Sequence, residues 1–352
     1  MVTLADLGIQ PGTCQTVAEI GAANGDLDYA ARVIAAAAES GCSFVKGQIY
    51  DRATLTTRDA VPYGKGITEP ATQWDVFSQQ LSAEEWFDVA DICQTAGVTF
   101  FASVFDYEAV DLCEDIDVPL YKIASADITH KRLIQYVAAT GKPIVLSTGG
   151  AELWEIRRAM EWVDAACYSH VSQIVVLMCT LSYPTQLEDA NVARVKWWAE
   201  EMNPLVGYSD HTMGISTMVA AKANGAVLIE KHFTITPGAG GDHDFAANPV
   251  AIEWFHNMST PRGRLTEQPT VQGSPHIGRL PVEEDAVRNA RRSIAAKHDI
   301  EAGTVIEENM LSYLRPGTGI PPYMVDEADG PIGKTYKQTI PAGTLLPSVY
   351  SQ

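Results

Sequence analysis

Short runs of apolar and β-branched residues recur along the first 235 residues of the chain, separated by segments in which apolar positions follow the helical period. The runs are QTVAEIG (15–21), CSFVKGQIY (42–50), VTFFASVF (98–105), LYKIASAD (120–127), PIVLSTGG (143–150), QIVVLMCTL (173–181), PLVGYSDH (204–211) and AVLIEKHFT (226–234). Eight strands that alternate with helices predict an α/β protein built as a (β/α)8 barrel, the TIM-barrel architecture.

The segments between the runs carry helix signals of their own. Residues 27–41 (LDYAARVIAAAAESG) and 82–97 (SAEEWFDVADICQTAG) repeat apolar positions with helical spacing. In the second segment Ser82 and Glu85 form the pattern of a capping box, and Gly97 is placed to end the helix. Both segments are therefore predicted to be helices between strands of the barrel.

The last part of the chain has a different character, rich in Gly and Pro and in short strand-like pieces. It contains a near repeat, DIEAGTVI (299–306) and TIPAGTLL (339–346). Two such A-G-T turns favour a small β-rich module over more barrel. We therefore predict a barrel over residues 1–262, a linker over 263–288 and a β-rich module over 289–352.

Composition narrows the classes of partner. The chain has 352 residues, 46% of them hydrophobic and 20% charged, as in ordinary globular enzymes. Its formal charge of −19 argues against a protein that binds nucleic acid or an anionic membrane surface. Any anionic ligand must then be held by a local cationic pocket.

The sequence also lacks the signals of export and of several cofactor classes. The start, MVTLADLGIQPGTCQ, has no signal-peptide pattern, and no apolar run is long enough to span a bilayer, so we expect a cytoplasmic protein. The six cysteines form no C-x-x-C pair, which favours reduced thiols over a disulfide framework or a zinc site. No Rossmann or Walker glycine loop indicates a nucleotide cofactor.

Two lysines, Lys46 and Lys122, end apolar strands, where the mouth of a barrel carries its active site. A lysine in such a place must be paired or must bind an anion, because an unpaired buried ammonium is costly. Hydroxyl donors end neighbouring strands, and they favour a phosphate or carboxylate guest: Ser103, Ser125, Ser147, Thr148 and Ser209. The alternative is that each lysine only pairs with a barrel carboxylate such as Glu19 or Asp127.

His211 and His232 end the last two strands, which are neighbours in a closed barrel. Two imidazoles with water or a substrate oxygen suit Mn²⁺, Co²⁺, Fe²⁺ or Zn²⁺, although no spacing motif such as H-E-x-x-H supports this. Each could equally be a hydrogen-bonded structural histidine. Asp242 and His243 lie in a Gly-rich loop, PGAGGDHDF (237–245), that could also reach the mouth.

A set of motifs in one order carries a family resemblance. The motifs are EIG (19–21), FVKGQ (44–48), YKIASAD (121–127), LSTGG (146–150), CTLSYPT (179–185), GYSDHT (207–212), IEKHFT (229–234), GGDH (240–243), RRSIAAKHDIEAGTVI (291–306) and RPGTGI (315–320). The chain resembles the N-acetylneuraminate (sialic acid) synthases, which include the legionaminate and pseudaminate synthases, and its tail resembles their antifreeze-like (SAF) domain.

The resemblance implies a reaction and a set of site residues. The family condenses phosphoenolpyruvate with an open-chain hexosamine aldehyde, with C–O cleavage and release of phosphate, to give an α-keto sugar acid. It implies phosphoenolpyruvate contacts at Lys46, Lys122, Ser125 and Ser209, and at Ser103 where the family usually has Thr. The metal ligands would be His211 and His232, with Mn²⁺ the usual ion and Mg²⁺ or Co²⁺ as alternatives.

The remaining implied roles concern protons and the sugar. Glu19 matches the acidic residue proposed to move protons in the family, and Asp127 is a second candidate. Sugar contacts carried over are Gln48, Tyr183, Asp242 and Arg315. In the family the arginine of the R-P-G motif reaches across from the partner subunit, so a domain-swapped homodimer is implied.

Three departures from the family pattern bear on the substrate. The first loop reads E-I-G-A-A-N-G, one residue shorter than E-I-G-x-N-H-N-G. Met178 and Leu181 replace polar residues of the H-C-T-[SN] pattern, and Gly47 replaces Phe in V-K-F-Q. These changes leave open an aldehyde other than N-acetylmannosamine.

Two functions of other classes remain as alternatives. A Schiff-base aldolase on the same barrel would use Lys122 or Lys46 as imine former and would need no metal. In a non-enzymatic sugar- or ice-binding protein the C-terminal module would bind the ligand. That function would leave the ionisable groups at the barrel mouth without a role.

Overall fold

The computed structural model describes residues 2–23, 25–63, 71–167, 173–203, 205–258 and 269–348. The predicted boundary between barrel and linker at residues 262 and 263 lies outside these ranges. Among the helices within them, none is both long and apolar enough to cross a membrane.

Eight parallel strands form a closed barrel in chain order, as predicted. The strands are β1 (Gln15–Glu19), β2 (Phe44–Ile49), β3 (Thr99–Val104), β4 (Tyr121–Ile123), β5 (Ile144–Ser147), β6 (Ile174–Cys179), β7 (Val206–Asp210) and β8 (Leu228–His232). The barrel closes between β1 and β8, where Glu19 is the register partner of His232. This pairing brings the predicted proton-transfer residue beside a predicted metal ligand.

The fourth strand is shorter than the run that predicted it. The run covers 120–127, but the strand ends at Ile123 and Ser125–Asp127 form a 3-10 turn. The turn is closed by the amide of Asp127, which donates to the carbonyl of Ala124 at 2.9 Å. Ser125 is thereby turned over the mouth of the barrel rather than continuing its wall.

Helices lie between successive strands of the barrel and after its last strand. They are α1 (Leu27–Glu39), α2 (Arg52–Leu55), α3 (Gln73–Val76), α4 (Ala83–Ala96), α5 (Tyr107–Ile116), α6 (Lys131–Ala139), α7 (Leu153–Ala166), α8 (Ala193–Glu201), α9 (Ser216–Ala223), α10 (Pro249–Asn257), α11 (Pro269–Gln272) and α12 (Glu284–Ala290). The predicted signals of α4 are confirmed: Ser82 and Glu85 form a reciprocal capping box, and Gly97 ends the helix with φ 77°.

The interior of the barrel is packed with side chains below the mouth. A buried apolar cluster fills it, and Leu4 and Ile9, which precede β1, belong to this cluster. Its other members are Val17, Phe44, Phe101, Leu120, Val145, Val175, Leu177, Val227 and Leu228. Such layers make a barrel a solid core rather than a pore. The free space is therefore at the carboxyl ends of the strands.

The C-terminal module is small and β-rich, as predicted. Strands β9 (Ser293–Ala296) and β10 (Leu311–Leu314) are antiparallel, and their apolar side chains belong to a separate core. The two predicted repeats pair with each other, since Ile300 and Ile340 exchange backbone hydrogen bonds of 2.9 Å in both directions. Gly303 and Gly343, at the same place in each repeat, have φ 80° and 73°, which favours glycine.

Ion pairs hold the module on the barrel. In two of them a helix of the barrel supplies the cation and the module supplies the carboxylate. Lys131 contacts Asp326 at 2.7 Å and Arg132 contacts Glu308 at 2.6 Å, both partly exposed. A buried pair runs in the opposite sense, with Arg291 of the module 2.6 Å from Glu155 of α7. The module is thereby held beside the mouth of the barrel of its own chain.

Candidate active site

A cavity of about 510 Å³ opens at the carboxyl ends of the barrel strands. Twelve of the thirteen residues predicted for the site line it: Glu19, Lys46, Gln48, Ser103, Lys122, Ser125, Tyr183, Ser209, His211, His232, Asp242 and Arg315. These residues come from strands or loops throughout the barrel and from the C-terminal module. Their convergence is what the strand-end rule for TIM barrels leads one to expect.

Lys46 is buried at the end of β2 and is hydrogen-bonded on two sides. Its ammonium donates to the Ser103 hydroxyl at 2.9 Å and to Glu19 at a longer 3.4 Å. Glu19 also accepts from the amide of Gln48 at 2.9 Å. Burial alone would raise the pKa of Glu19, but the charges of Lys46 and His232 outweigh it and hold that pKa below its usual range. Glu19 is therefore ionised at neutral pH, as a weak base that can accept a proton from a strongly acidic group.

Lys122 is paired with Glu230, the acidic residue two positions before His232. Its Nζ lies 2.9 Å from both carboxylate oxygens, and the Ser209 hydroxyl donates to Glu230 at 3.1 Å. Burial lowers the pKa of Lys122 against the opposing effect of Glu230. The alternative raised for the lysines thus holds in part: each has a carboxylate partner, Glu19 or Glu230 rather than Asp127, yet each still lines the cavity.

Hydroxyl groups and backbone amides complete this end of the cavity. The Ser125 hydroxyl accepts from the amide of Gly149 at 3.0 Å, which ties the turn after β4 to the S-T-G-G loop after β5. The Ser147 hydroxyl is buried, lines the cavity and has no hydrogen-bond partner among the described residues. A buried polar atom without a partner fits a ligand that supplies one.

Asp127 does not belong to the cavity, and its prediction as a proton carrier is corrected. Its side chain is fully buried and absent from the cavity lining. Oδ1 accepts from Nε of Arg292 at 2.7 Å. The 3-10 turn sends Ser125 to the mouth and Asp127 towards the C-terminal module, because the strand, whose period of two would have put both on one face, ends at Ile123.

The two histidines lie together, with ring centroids 5.6 Å apart. Nδ1 of His211 lies 3.0 Å from the carbonyl of Thr180. Nδ1 of His232 lies 2.9 Å from Glu19 and 3.3 Å from Asp242. Because each Nδ1 faces an acceptor, each ring is left with Nε2 as the nitrogen able to bind a cation, the arrangement common around histidine ligands.

The donor set fits a divalent ion with open positions, although no group of three or more His, Cys, Asp or Glu is preformed around a metal in the described ranges. Burial lowers the pKa of His211 to about 4, so this imidazole is neutral at pH 7. Burial would also lower that of His232, but Glu19 and Asp242 raise it to about 10. A cation at His232 must therefore displace a proton.

An aromatic wall, which the sequence did not reveal, surrounds Arg315. The guanidinium carbon lies 5.3 Å from the ring centroid of Phe77, 5.7 Å from Phe105 and 5.8 Å from Tyr63. Its Nη1 donates to the hydroxyl of Tyr63 at 3.1 Å, and no described carboxylate pairs with it. Phe105 directly follows β3 and ends the run that predicted this strand, whereas Tyr63 and Phe77 lie in segments without a period, so no pattern indicated that the three rings would meet.

Arg315 enters the cavity of its own chain. Its backbone amide donates to the carbonyl of Leu55 at the end of α2, and its carbonyl accepts from the amide of Thr57, both in the segment between β2 and β3 of the same barrel. In the chain described here the arginine thus enters the barrel mouth of its own chain. The exchange of modules between the subunits of a homodimer, which the family resemblance implies, stays a prediction.

The departures from the family pattern fall in different layers. Leu181 lines the cavity and packs on Ala286 and Val287 of the linker helix α12, whereas Met178 is buried in the outer core. At Gly47 a Cβ would lie 2.6 Å from the ring of Trp86, so the missing Phe reflects packing of α4 on the barrel. Asn24 of the shortened first loop lies outside the described residues.

Cys179 sits behind the histidines and is no nucleophile. Burial raises the pKa of its thiol to about 12. Lys231, on the outward face of β8, donates to Asp210 at 2.9 Å and to the carbonyl of Thr212, so its role is structural.

Comparisons with known proteins identify the family of each part of the chain. Residues 33–260 match the NeuB family and residues 291–348 match the SAF domain. An N,N'-diacetyllegionaminic acid synthase of Legionella pneumophila is 33% identical over 354 residues, covering 96% of each chain.

Solved structures give the same result. The spore coat polysaccharide biosynthesis protein SpsE of Bacillus subtilis superposes with a TM-score of 0.77 at 28% identity, covering 95% of this chain and 94% of that one. A sialic acid synthetase of Leptospira borgpetersenii, crystallised with citrate, gives 0.61 at 27% identity over 78% of this chain and 90% of its own. The chain therefore belongs to the NeuB family and carries a C-terminal SAF domain.

Proposed function

We propose that this protein condenses phosphoenolpyruvate with the open-chain aldehyde of a hexosamine derivative, releasing phosphate and forming a nonulosonic acid. The curated relatives of the family are named as synthases, so the chain is an enzyme of that type. One observation carries the proposal. Lys46 and Lys122 line the same cavity as several serine hydroxyls, and His211 and His232 line that cavity too.

The lysine end of the cavity suits the doubly acidic substrate. An ammonium has three donors, and Lys46 uses one for Ser103 and one, at the longer distance, for Glu19. The remaining capacity, with the unpartnered Ser147 hydroxyl and Ser125, is available to phosphate and carboxylate oxygens. We place phosphoenolpyruvate there.

The reaction forms one C–C bond and breaks one C–O bond. The methylene carbon of phosphoenolpyruvate attacks the aldehyde carbon, and the aldehyde oxygen gains a proton as it becomes a hydroxyl. Water adds at the neighbouring phosphate-bearing carbon and loses one proton. The C–O bond to phosphate then breaks as the new hydroxyl gives its proton to the leaving phosphate, and the α-keto acid remains. Glu19, held as a carboxylate beside Lys46 and His232, is placed to take the proton from water.

Within this scheme the chain's residues bind, orient and exclude water. His211 and His232 would hold the divalent ion, Mn²⁺ in our proposal with Mg²⁺ or Co²⁺ as alternatives, and when bound it supplies Lewis acidity towards the aldehyde. Gln48, Tyr183, Asp242 and Arg315 would bind the sugar. The rings around Arg315 would cover it, which limits water to the molecule that reacts.

We further propose a cytoplasmic homodimer. Buried thiols at Cys42, Cys93 and Cys113, whose pKa values burial raises, suit a reducing compartment. The family resemblance implies that such a dimer exchanges C-terminal modules, whereas the contacts of Arg315 within one chain favour a dimer without exchange.

The decisive assay is phosphate release from phosphoenolpyruvate and Mn²⁺ across a panel of aldoses, phosphorylated and not. Release with a hexosamine derivative, and formation of an α-keto acid, are expected. Borohydride trapping of the chain on substrate, with activity that survives a chelator, would instead indicate the Schiff-base aldolase, for which the lowered pKa of Lys122 is the one favourable observation.

A further inference from the structure

Arg292 is a buried arginine of the C-terminal module that binds four separate acceptors on the module and the barrel. Nε donates to Asp127 at 2.7 Å, and Nη2 donates to the carbonyl of Phe105 at 2.6 Å. Nη1 donates to the carbonyl of Thr54 at 2.7 Å and to that of Tyr313 at 2.9 Å. The residue is 2% exposed and does not line the cavity.

Each segment that Arg292 holds carries a cavity residue at most two positions away. Thr54 precedes Leu55, Phe105 itself lines the cavity two residues after Ser103, and Tyr313 lies two residues before Arg315. Asp127 lies two residues after Ser125. One guanidinium thus joins the serine end of the cavity to its arginine end.

We propose that Arg292 is a positioning residue that fixes the geometry of the active site across the two domains, with Asp127 as its counter-ion. The proposal deepens the function proposed above and rests on it for the kinetic part of its test. Arg292 sets the distance between the serines that receive phosphoenolpyruvate and the arginine that receives the sugar. Ordering both ends is the step that brings the two reacting carbons together.

The chemistry of the side chain explains why an arginine stands here. A guanidinium presents five N–H donors in one plane with fixed directions. The four hydrogen bonds of Arg292 use its Nε, Nη1 and Nη2 atoms. A lysine has a single donor atom, which cannot reach acceptors on four segments. The charge needs one buried carboxylate, and Asp127 supplies it.

The geometry also separates this role from proton transfer by Asp127. A carboxylate that moves protons must touch the reacting atoms, whereas Asp127 faces Arg292 from outside the cavity. An asparagine at 127 keeps the Oδ1 acceptor and cannot titrate. Asp127→Asn therefore tests the two roles against each other.

The experiment compares Arg292→Gln, Arg292→Lys and Asp127→Asn with a matched control, Lys131→Gln. Lys131 forms an ion pair with Asp326 at the same domain interface but binds no cavity segment. In the phosphate-release assay we expect kcat to fall about 30-fold or more in both Arg292 variants, in line with misplacement of about 1 Å. We expect less than a tenfold loss in Asp127→Asn, since loss of a general acid or base costs about 10² or more, and a change within twofold in Lys131→Gln.

Amide hydrogen exchange of the full chain gives a second readout that does not depend on turnover. The amide of Asp127, bonded to Ala124, should exchange about tenfold faster in Arg292→Gln than in wild type or Lys131→Gln, because the turn loses its anchor. Kinetics and exchange at wild-type values in both Arg292 variants would overturn the inference. A wild-type protein that releases no phosphate with any aldose would overturn the proposed function, and the exchange result would then decide the positioning role alone.

Discussion

The ammonium of Lys122 lies 2.9 Å from both carboxylate oxygens of Glu230, inside the barrel mouth. The next residue of the same strand, Lys231, points the other way and lies 2.9 Å from Asp210. Strand β8 thus carries one buried ion pair facing the cavity and another facing the outer layer, because successive side chains of a strand alternate faces.

The two pairs allow stability to be separated from function. Lys122→Met should destabilise the fold by about 3–5 kcal/mol, because it leaves Glu230 buried without a counter-ion. The double variant Lys122→Met/Glu230→Gln should recover much of that stability while phosphoenolpyruvate binding stays at least about 100-fold weaker. Denaturant unfolding and calorimetric titration with phosphoenolpyruvate measure the two quantities.

The outward pair is the matched control. Lys231→Met/Asp210→Asn removes the same kinds of charge, from β8 and its neighbour β7, and neither residue is among the described residues that line the cavity. It should keep phosphoenolpyruvate affinity close to that of wild type. Tight phosphoenolpyruvate binding by the Lys122 double variant would remove this lysine from the proposed anion site.

Removal of divalent metal should stop turnover. Prolonged chelation should abolish phosphate release, and Mn²⁺ should restore it. His211→Ala and His232→Ala should each lose calorimetric Mn²⁺ binding, since two imidazoles are the proposed ligands. His243→Ala is the control, because its ring is bonded to Thr234 at 2.7 Å and is not a proposed ligand. Mn²⁺ binding that survives both ligand substitutions would place the ion elsewhere.

The origin of Arg315 can be tested by mixing two inactive variants. Arg315→Met and Lys122→Met each remove one essential part of the proposed site. If each subunit supplies its own arginine, as the Arg315 contacts with Leu55 and Thr57 indicate, co-refolded mixtures should stay inactive. Recovery of about a quarter of wild-type activity would instead mean that the modules are exchanged between subunits, because random pairing makes intact mixed sites.

His130 should make stability depend on pH. It is buried at the domain interface, with its ring centroid 4.4 Å from that of Tyr313, and burial together with the charge of Arg292 holds its pKa well below 6.5. Its contribution is thus fully present above about pH 6.5 and is lost as the pH falls, because the unfolded chain binds the proton first. The slope is at most about 1.4 kcal/mol per pH unit.

The test compares unfolding free energies between pH 7 and pH 5. His130→Asn, which retains a side chain able to cap α6, should flatten the loss of stability below about pH 6.5. His298→Asn, at an exposed turn of the C-terminal module, should leave it unchanged. An identical slope in wild type and His130→Asn would exclude this histidine as the cause.

Much of the fold could be predicted because it is encoded locally. Strand β8 illustrates this: its apolar residues fix the wall of the barrel, and period two alone puts Glu230 and His232 on one face and Lys231 on the other. The helical segment closed by Ser82 and Gly97 is a second example, since capping chemistry acts within a few residues.

The errors arise where the local rule stops. Asp127 was placed in the mouth because its run was read as one strand, in which it would share a face with Ser125. The strand ends at Ile123, and the 3-10 turn that follows puts the two side chains on different sides. Its partner Arg292 stands 165 residues away in the chain. Charge attraction over such a separation leaves no periodic trace in a single sequence.

The sequence by itself determined the barrel, the order of its strands and the polar residues at their carboxyl ends, because strand periodicity and chain order dictate faces and neighbours. Only the tertiary structure decided which carboxylate pairs with each lysine, that Arg315 enters its own chain's cavity within an aromatic wall, and that Asp127 binds Arg292. These contacts depend on how loops and a second domain pack over the mouth, and packing between distant segments is set by shape and burial in three dimensions.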